Sequence, residues 1–199
     1  MLDILGQGTY GVVVKAKHRS KKRIVAIKLM ENVMNDTYEA KRLFTEIFIL
    51  RKMSQIKDNV FTCHIYDIIL PEKDSESCKG TYENDKPLEY VFLVMEYLPQ
   101  DLLTLLQSKR LDKVFNEKYI KVLLYNTLCD IHYLHSAGLI HRDIKTDNIL
   151  VDNTCLTKIC DFGMARPCLP YQKNIRPAPE TEPDRKFIAK RQRFNRTKR

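Results

Sequence analysis

Alternating apolar and polar positions predict β-strands in the first half of the chain. Residues 24–28 have a two-residue period, so Ala26 and Lys28 share one face of a predicted strand. Two further strands are predicted in the β-branched and aromatic runs 63–70 and 90–97. The polar stretch between these two runs is too hydrophilic for a core. We therefore expect it to be a long exposed loop between adjacent strands.

A 3.6-residue period predicts a helix from Asp36 to about Met53, where Asp36 and Glu39 resemble a capping box. Its apolar stripe follows i, i+3, i+4 and i+7 spacing and consists of Leu43, Glu46, Ile47 and Leu50. A carboxylate turned toward a core is costly to bury without a cation. We predict that Glu46 pairs with Lys28; the alternative is that Glu46 reaches solvent at the edge of the stripe.

A second, longer helix is predicted over residues 117–137, with Asn116 as its N-cap and Gly138 as its stop. Its apolar side consists of Ile120, Leu123, Leu124, Leu128, Ile131 and Leu134. We expect this helix to contribute to a core, and we assign no chemistry to its histidines.

Glycines near the start of the chain predict a backbone that approaches an anion closely. The run Gly6-Gln7-Gly8-Thr-Tyr-Gly11 lies between two apolar stretches. A dinucleotide-binding fold also uses Gly-x-Gly-x-x-Gly, but it needs a helix directly after the last glycine. Three valines follow here instead and favour a strand, so we predict a glycine-rich hairpin.

The polar residues with the most chemical information lie in the run His-Arg-Asp-Ile-Lys-Thr-Asp-Asn at 141–148 and in Asp-Phe-Gly at 161–163. Short strands are predicted at 149–151 and 156–160, which places these polar groups on loops at strand ends. Phosphoryl transfer needs a carboxylate beside the attacking hydroxyl, metal ligands and a cation on the moving charge. Residue types suited to these tasks are Asp143, Lys145, Asn148 and Asp161.

Composition excludes several classes of protein. The chain has 199 residues, of which 44% are hydrophobic and 30% charged, as in globular domains. It contains no apolar run long enough to span a membrane and no secretory signal pattern. The six cysteines form no Cys-x-x-Cys pair, which favours free thiols in a reducing compartment. Residues 185–199 carry +8 of the net charge of +9, so the basicity is a property of the tail.

Taken together, the glycine-rich hairpin, the lysine and glutamate pair, His-Arg-Asp and Asp-Phe-Gly resemble the protein kinase family, a signature set that the field treats as diagnostic in combination. The resemblance covers residues 2 to about 168. It implies a bilobal α+β fold with a five-stranded antiparallel sheet and one helix in the small lobe. It also implies a small lobe at 1–98, a partial large lobe at 99–168, and an activation-loop remnant with a basic tail at 169–199.

The resemblance also implies site residues that converge on ATP and Mg²⁺. The implied catalytic residues are Asp143, Lys145, Lys28 and Glu46, and the implied metal ligands are Asn148 and Asp161. Contacts to the nucleotide are implied for Gly6, Gln7, Gly8, Gly11, Val13, Ala26, Lys28, Met95, Glu96, Leu98, Asp101 and Leu150. Within this set Met95 corresponds to the gatekeeper and Asp101 to a ribose ligand, although Asp101 is also placed to cap a helix. Arg142 is the expected receptor of an activation-loop phosphate.

Lys145, two residues after Asp143, matches the serine/threonine class. The segments around 98–102, 135–138 and 158–166 are similar to the mitogen-activated and cyclin-dependent kinase group, with the mitogen-activated branch closer. Thr146 departs from this group's usual proline. The resemblance fails beyond Arg166: Ala178-Pro-Glu180 spells the tripeptide that closes an activation segment, but we interpret it as coincidence within a long loop. We therefore expect a kinase truncated in its activation segment.

The expected function is an intracellular protein serine/threonine kinase, in the cytoplasm or nucleus, that acts on protein substrates and has an upstream activating kinase. The alternative is a chain that binds nucleotide without transferring phosphate and regulates a partner. A third hypothesis gives the basic tail a role at nucleic acid, a membrane surface or nuclear import. We favour a solvated piece of loop for this tail, because Phe187 and Phe194 are too few to fold it.

Overall fold

The computed structural model describes residues 3–8, 11–31, 33, 36–70, 90–108 and 117–168. Predictions for the loop at 71–89, the cap at Asn116 and the segment 169–199 lie outside these residues. The chain divides into two units, the first formed by residues 1–55 and 63–97 and the second by residues 56–62 and 98–199.

The first unit is built on an antiparallel sheet of five strands in the order β1-β2-β3-β5-β4. These strands are β1 (Asp3–Gly8), β2 (Gly11–His18), β3 (Arg23–Glu31), β4 (Ile65–Ile69) and β5 (Tyr90–Glu96). The predicted glycine-rich hairpin is confirmed, because β1 pairs with β2 in antiparallel register. The predicted neighbours at 63–70 and 90–97 are also confirmed, because β4 pairs with β5.

Helix α1 (Thr37–Gln55) is the one helix of the first unit within the described residues. The Asp36 carboxylate accepts a hydrogen bond from the backbone N–H of Tyr38 at 2.8 Å, so Asp36 caps the helix as predicted. Glu39, the other half of the predicted capping box, instead lies 3.6 Å from Arg42. The buried face of α1 carries Arg42, Leu43, Glu46, Ile49, Leu50 and Met53.

The core of the first unit uses the buried positions of the sheet. Ala16, Val25 and Val94 form one cluster, with Ile27 packed against it. Leu93 on β5 is fully buried. Because β3 pairs with both β2 and β5, its side chains have neighbours along both edges, and Lys28 is held between Val13 and Leu93 in register.

The second unit combines helices with short strands. Within the residues that the structure describes, its α-helices are α2 (Leu102–Gln107) and α3 (Glu117–Ser136). Strands β6 (Gln100–Asp101), β8 (Ile149–Val151) and β9 (Thr157–Ile159) form a three-stranded sheet in the order β6-β8-β9. Strands β7 (Leu139–Ile140) and β10 (Arg166–Pro167) form a separate pair. The predicted short strands on either side of Asp152 are therefore confirmed.

The predicted apolar side of α3 is wrong for half of its members. Ile120, Leu124 and Leu128 are 53%, 57% and 56% exposed, whereas Leu123 and Leu134 are buried. The reason is that the buried face includes polar residues that the apolar pattern does not mark, namely Asn126 and Asp130. The helix end is as predicted: Gly138 has φ +70°, and its N–H donates to the His135 carbonyl.

Residues 56–62 belong to the second unit through Phe61. The Phe61 ring stacks on Tyr133 of α3 with ring centroids 4.4 Å apart, and its carbonyl accepts a 3.0 Å hydrogen bond from the N–H of Ile159. Phe61, Phe162, Leu134 and Ile159 are all essentially buried. The packing of this short segment within the second unit was not predicted from the sequence.

None of the helices in the described part of the chain combines the length and hydropathy needed to cross a membrane. The five cysteines in the same residues, Cys63, Cys129, Cys155, Cys160 and Cys168, all carry free thiols, as predicted.

Candidate active site

Lys28 and Glu46 form the predicted ion pair within the first unit. The Nζ of Lys28 lies 2.8 Å from both carboxylate oxygens of Glu46. The two side chains are 12% and 4% exposed. Strand β3 supplies the lysine and helix α1 the glutamate, so the pair joins the sheet to the helix. Because little solvent screens either charge, removing one partner would leave the other buried and uncompensated.

The glycine-rich hairpin turns between Gly8 and Gly11, which face each other in the β1–β2 register. Gly6 and Gln7 are exposed, and the space around Gly6 is open: a Cβ there would meet nothing within 4 Å. Gly11 is different, because it has φ +121° and a Cβ there would lie 1.8 Å from the Leu29 carbonyl oxygen. Only glycine fits this close approach of β2 to β3.

The residues that the resemblance assigns to adenine lie in both units. In the first unit, Ala26 and Met95 are register partners on β3 and β5 and are 7% and 9% exposed. Val13 is half-buried on the neighbouring strand β2. The N–H of Glu96 donates to the His64 carbonyl at 2.8 Å, and its carbonyl accepts from the Cys63 thiol at 3.5 Å.

In the second unit, Leu98 is buried, and Asp101 and Leu150 are partners in the β6–β8 register. The Asp101 carboxylate caps α2, since it accepts from the N–H of Thr104 at 2.6 Å and from its hydroxyl at 2.8 Å. The predicted helix cap at Asp101 is therefore confirmed. A ribose hydroxyl bound here would be a third hydrogen-bond donor to the Asp101 carboxylate, after the two donors of Thr104.

The loop after β7 brings Asp143, Lys145 and Asn148 together. The amide nitrogen of Asn148 donates to the Asp143 carboxylate at 3.0 Å and to the Asp143 carbonyl at 2.9 Å. The Nζ of Lys145 lies 3.5 Å from the same carboxylate. A 3-10 turn at Thr146–Asn148 returns the chain to Asp143. One carboxylate thus has an amide and an ammonium beside it, an arrangement suited to orienting a hydroxyl.

His141 connects this loop to the residues before Asp161. Its ring lies 2.9 Å from the Cys160 carbonyl through Nε2, and its Nδ1 lies 3.3 Å from the N–H of Asp143. A neutral imidazole protonated on Nε2 satisfies both contacts, because Nδ1 then accepts the N–H. Burial lowers the pKa of His141, while the Cys160 carbonyl and the carboxylates of Asp161 and Asp143 oppose that shift. Both carboxylates therefore act on the same imidazole.

The residues on both sides of Asp161 make tertiary contacts. The N–H of Cys160 donates to the Asn148 carbonyl at 3.0 Å. The buried Phe162 ring packs edge-on against His141 with ring centroids 5.1 Å apart. Asp161 and Arg142 have φ of +60° and +69°, values that are uncommon for residues other than glycine. Surrounding contacts must hold such backbone in place, and strain of this kind concentrates at functional sites.

The donor set suits Mg²⁺ bound together with phosphate oxygens better than a metal held by protein alone. Among the described residues, no group of three or more His, Cys, Asp or Glu side chains could hold a metal ion. Mg²⁺ keeps few protein ligands and completes its octahedron with water and substrate phosphates. The two hydrogen bonds of Asn148 use its amide nitrogen, so its amide oxygen is the atom available to a cation. Asn148 and Asp161 fit that requirement.

The contacts of His141 with Cys160 and Asp143 were not predicted from the sequence, although His141 stands directly before Arg142 and Asp143. The buried polar pair of Asp130 and Thr157, whose carboxylate and hydroxyl oxygens lie 2.5 Å apart, was also not predicted. Asp130 could have been identified by its position, because it lies one turn from Asn126 and both are polar residues on the buried side of α3. Glu46 interrupts the buried side of α1 in the same way.

The fold class is that of a protein kinase: the first unit has a five-stranded antiparallel sheet and one described helix, joined by a buried lysine–glutamate pair. The protein kinase domain family matches residues 1–183, and the chain belongs to this family. The resemblance identified from the motifs is thereby confirmed. ATP and Mg²⁺ are used by this family in general.

Among curated proteins, the chain is similar to mitogen-activated protein kinases. It is 38% identical over 165 residues to mitogen-activated protein kinase mpkC of Emericella nidulans, a match that covers 83% of this chain and 34% of the relative. Identity is 36% to mitogen-activated protein kinase HOG1 of Chaetomium globosum, over 83% of this chain and 39% of that protein. The chain is 32% identical to mitogen-activated protein kinase 15 of Xenopus laevis, in a match that covers 86% of this chain and 26% of that protein. The chain thus spans between a quarter and two fifths of the length of these relatives.

Proposed function

We propose that the chain acts as an ATP-dependent protein serine/threonine kinase, transferring the γ-phosphate of ATP to serine and threonine hydroxyls of protein substrates. The observation that carries this proposal is the contact of the Asp143 carboxylate with the amide of Asn148 at 3.0 Å and the ammonium of Lys145 at 3.5 Å. This contact brings a carboxylate, an amide and an ammonium together within one loop.

Asp143 is the proposed catalytic base. Its carboxylate orients the attacking hydroxyl and accepts the hydroxyl proton as the oxygen attacks phosphorus. The Asn148 amide nitrogen donates one hydrogen bond to that carboxylate and another to the Asp143 carbonyl, which together hold Asp143 in place. Lys145 stabilises the negative charge that spreads over the transferring phosphoryl group. Neutral His141 fixes the loop through the Asp143 N–H and the Cys160 carbonyl.

Asn148 and Asp161 are the proposed Mg²⁺ ligands, through the amide oxygen and the carboxylate. Bound Mg²⁺ supplies neutralisation of phosphate charge during transfer. Lys28 is proposed to contact the α and β phosphates, with Glu46 holding its ammonium at 2.8 Å. Gly6, Gln7, Gly8 and Gly11 are proposed to cover the phosphates with backbone amides.

The remaining nucleotide contacts are proposed from the family resemblance. Val13, Ala26, Met95 and Leu150 would line the adenine, Glu96 and Leu98 would offer backbone groups to it, and Asp101 would bind ribose. Residues 1–98 are proposed as the nucleotide-binding lobe and residues 99–168 as part of the catalytic lobe. Protein substrates, an upstream activating kinase and an intracellular location in cytoplasm or nucleus complete the proposal. The mitogen-activated protein kinases among the relatives support it.

The test is phosphate transfer from γ-labelled ATP with Mg²⁺ to a set of serine and threonine peptides, including peptides with proline after the hydroxyl residue. Full-length Asp143→Asn should lose transfer, by about a hundredfold or more for a lost base. The matched control is Asp147→Asn, which makes the same change on an exposed residue of the same loop. Turnover retained in Asp143→Asn would refute the assignment.

The second candidate function is nucleotide binding without transfer, in a chain that regulates a partner. The Lys28–Glu46 pair supports this candidate, because its proposed role is to bind nucleotide phosphates rather than to transfer one. A rise in Tm with Mg²⁺-ATP in the absence of any phosphate transfer would favour this candidate, since ligand binding to the folded state raises stability. No rise at all would argue against both functions.

A further inference from the structure

Two buried polar side chains of α3 hold the start of β9 in the second unit. The Thr157 hydroxyl donates to the Asp130 carboxylate, with the two oxygens 2.5 Å apart, and both residues are 0% exposed. One turn earlier on α3, the side-chain amide of Asn126 donates to the Cys155 carbonyl at 2.7 Å. Helix α3 is therefore attached to the chain at residues 155 and 157, where the chain enters β9.

Strand β9 leads to one of the two proposed metal ligands and lies beside the other. Asn148 directly precedes β8, and Asp161 follows the last residue of β9 by two positions. In the antiparallel β8–β9 pair Ile149 is opposite Ile159, so both ligands lie at the same end of the pair. The Cys160 N–H donates to the Asn148 carbonyl at 3.0 Å at this end. The position of β9 therefore decides where Asp161 lies relative to Asn148.

The burial of the Asp130 carboxylate indicates a role beyond packing. A buried carboxylate is costly even when it is hydrogen-bonded, and an apolar side chain would pack α3 against β9 without that cost. Apolar contacts are non-directional, whereas a hydrogen bond restricts both distance and direction. The contact with Thr157 thus specifies one position of β9 on α3, which apolar packing would leave less defined.

We propose that Asp130 is a positioning residue for the metal site: it holds Thr157, and through β9 it sets the place of Asp161 beside Asn148. This role rests on the proposed function, because Asn148 and Asp161 are Mg²⁺ ligands only there. Loss of the Asp130–Thr157 hydrogen bond should weaken the Mg²⁺-dependent part of nucleotide binding. The part that needs no metal should remain, because Lys28 and its partner Glu46 belong to the first unit.

The experiment uses the full chain and a fluorescent ATP analogue, whose dissociation constant is measured with Mg²⁺ and again with EDTA. Thr157→Val removes the hydroxyl and keeps the branched shape of the side chain. It should weaken binding with Mg²⁺ by about tenfold, the lower end of the range for residues that orient metal ligands. Binding in EDTA should not change. In phosphate transfer, kcat should fall while the KM for the peptide stays the same.

Two control variants separate positioning from stability. Thr157→Ser keeps the hydroxyl and should restore the Mg²⁺-dependent affinity. Leu123→Ala removes a buried apolar side chain from α3 and destabilises the second unit without removing the Asp130–Thr157 hydrogen bond. It should bind like the wild-type chain at a temperature where every variant is folded. If Thr157→Val does not fold, Asp130→Asn weakens the same hydrogen bond from the α3 side and should shift Mg²⁺-dependent binding in the same direction.

Hydrogen exchange of the unliganded chain gives a second measurement that needs neither metal nor nucleotide. The N–H groups of Ile159 and Cys160 donate to the carbonyls of Phe61 and Asn148, both at 3.0 Å. They should exchange faster in Thr157→Val than in Leu123→Ala, because only the first variant releases β9 from α3.

The role of Asp130 is overturned if Thr157→Val binds like the wild-type chain, if Thr157→Ser binds as weakly as Thr157→Val, or if Leu123→Ala loses Mg²⁺-dependent affinity to the same extent. An equal loss with Mg²⁺ and with EDTA would overturn it too, since the effect would not lie at the metal ligands. A wild-type chain that binds the analogue equally well with Mg²⁺ and EDTA gives a different result, because it refutes the proposed metal ligands themselves.

Discussion

The ammonium of Lys28 is held 2.8 Å from both carboxylate oxygens of Glu46, although the two residues are 18 positions apart and lie on different elements. Their side chains are 12% and 4% exposed. The pair is therefore an internal link between β3 and α1. Because each charge is buried, the loss of one partner costs far more than the net contribution of the pair.

This asymmetry predicts the outcome of a double-mutant cycle. Glu46→Leu removes the carboxylate that neutralises Lys28 and should lower the free energy of unfolding by about 3–5 kcal/mol. Lys28→Met should have a cost of the same order. The double variant should be more stable than either single variant, since it leaves no buried charge. Urea denaturation of the four chains measures this, and strictly additive single effects would contradict it.

The burial of Glu46 could be predicted from sequence because the residue interrupts an apolar stripe, and a buried carboxylate needs a cation. The strands could be predicted for a similar reason: a two-residue period leaves few alternatives to a half-buried strand. The same logic failed on α3. Ile120, Leu124 and Leu128 follow helical spacing as well as Leu123 and Leu134 do, yet they are exposed. Apolar residues at helical spacing identify one side of a helix, but they do not show whether another element packs against that side.

The loop after β7 shows a second limit of prediction from sequence. Its motif residues were identifiable by type and spacing, whereas the role of His141 depends on where the Cys160 carbonyl lies, 19 residues further on. The positive φ values at Arg142 and Asp161 likewise come from tertiary contacts, because neither residue type demands them. Local sequence patterns do not determine contacts between segments that are far apart in the chain.

Two glycines of the hairpin should respond differently to alanine. Gly11→Ala should destabilise the first unit, because φ +121° is unfavourable for alanine and the new Cβ would meet the Leu29 carbonyl oxygen at 1.8 Å. The backbone conformation alone costs about 1–3 kcal/mol. Gly6→Ala is the matched control, since its Cβ meets nothing within 4 Å. Thermal unfolding of both variants measures the difference; equal Tm values would show that β2 can move away from β3 at little cost.

A pair of threonines makes a similar comparison in the second unit. The Thr157 hydroxyl donates to the buried Asp130 carboxylate at 2.5 Å. Thr157→Val removes this donor and should cost about 1–3 kcal/mol, the penalty for a buried acceptor that loses a partner. The Thr127 hydroxyl is buried without a hydrogen-bond partner among the described residues. Thr127→Val should therefore be neutral or stabilising in urea denaturation, and a loss as large as that of Thr157→Val would contradict this account.

The stability of the chain should fall in mild acid through His141. Burial lowers the pKa of this imidazole below its ordinary 6.5, so the unfolded chain binds the proton more tightly than the folded chain does. Stability is therefore complete above pH 6.5 and decreases as the pH falls from there toward the folded-state pKa. The carboxylates of Asp143 and Asp161 oppose the shift and reduce the size of the effect. Protonation would also remove the acceptor that Nδ1 offers to the Asp143 N–H.

His141→Gln removes the titrating group, so its free energy of unfolding should decrease less between pH 7.5 and 5.5 than that of the wild-type chain, even though its stability at pH 7.5 is lower. His135→Gln is the control, since it deletes an exposed histidine of α3. Urea denaturation at a series of pH values measures both slopes. If His141→Gln and the wild-type chain lose stability in parallel, protonation of His141 does not couple to folding, and the neutral imidazole contact with Asp143 and Cys160 is not what holds the loop.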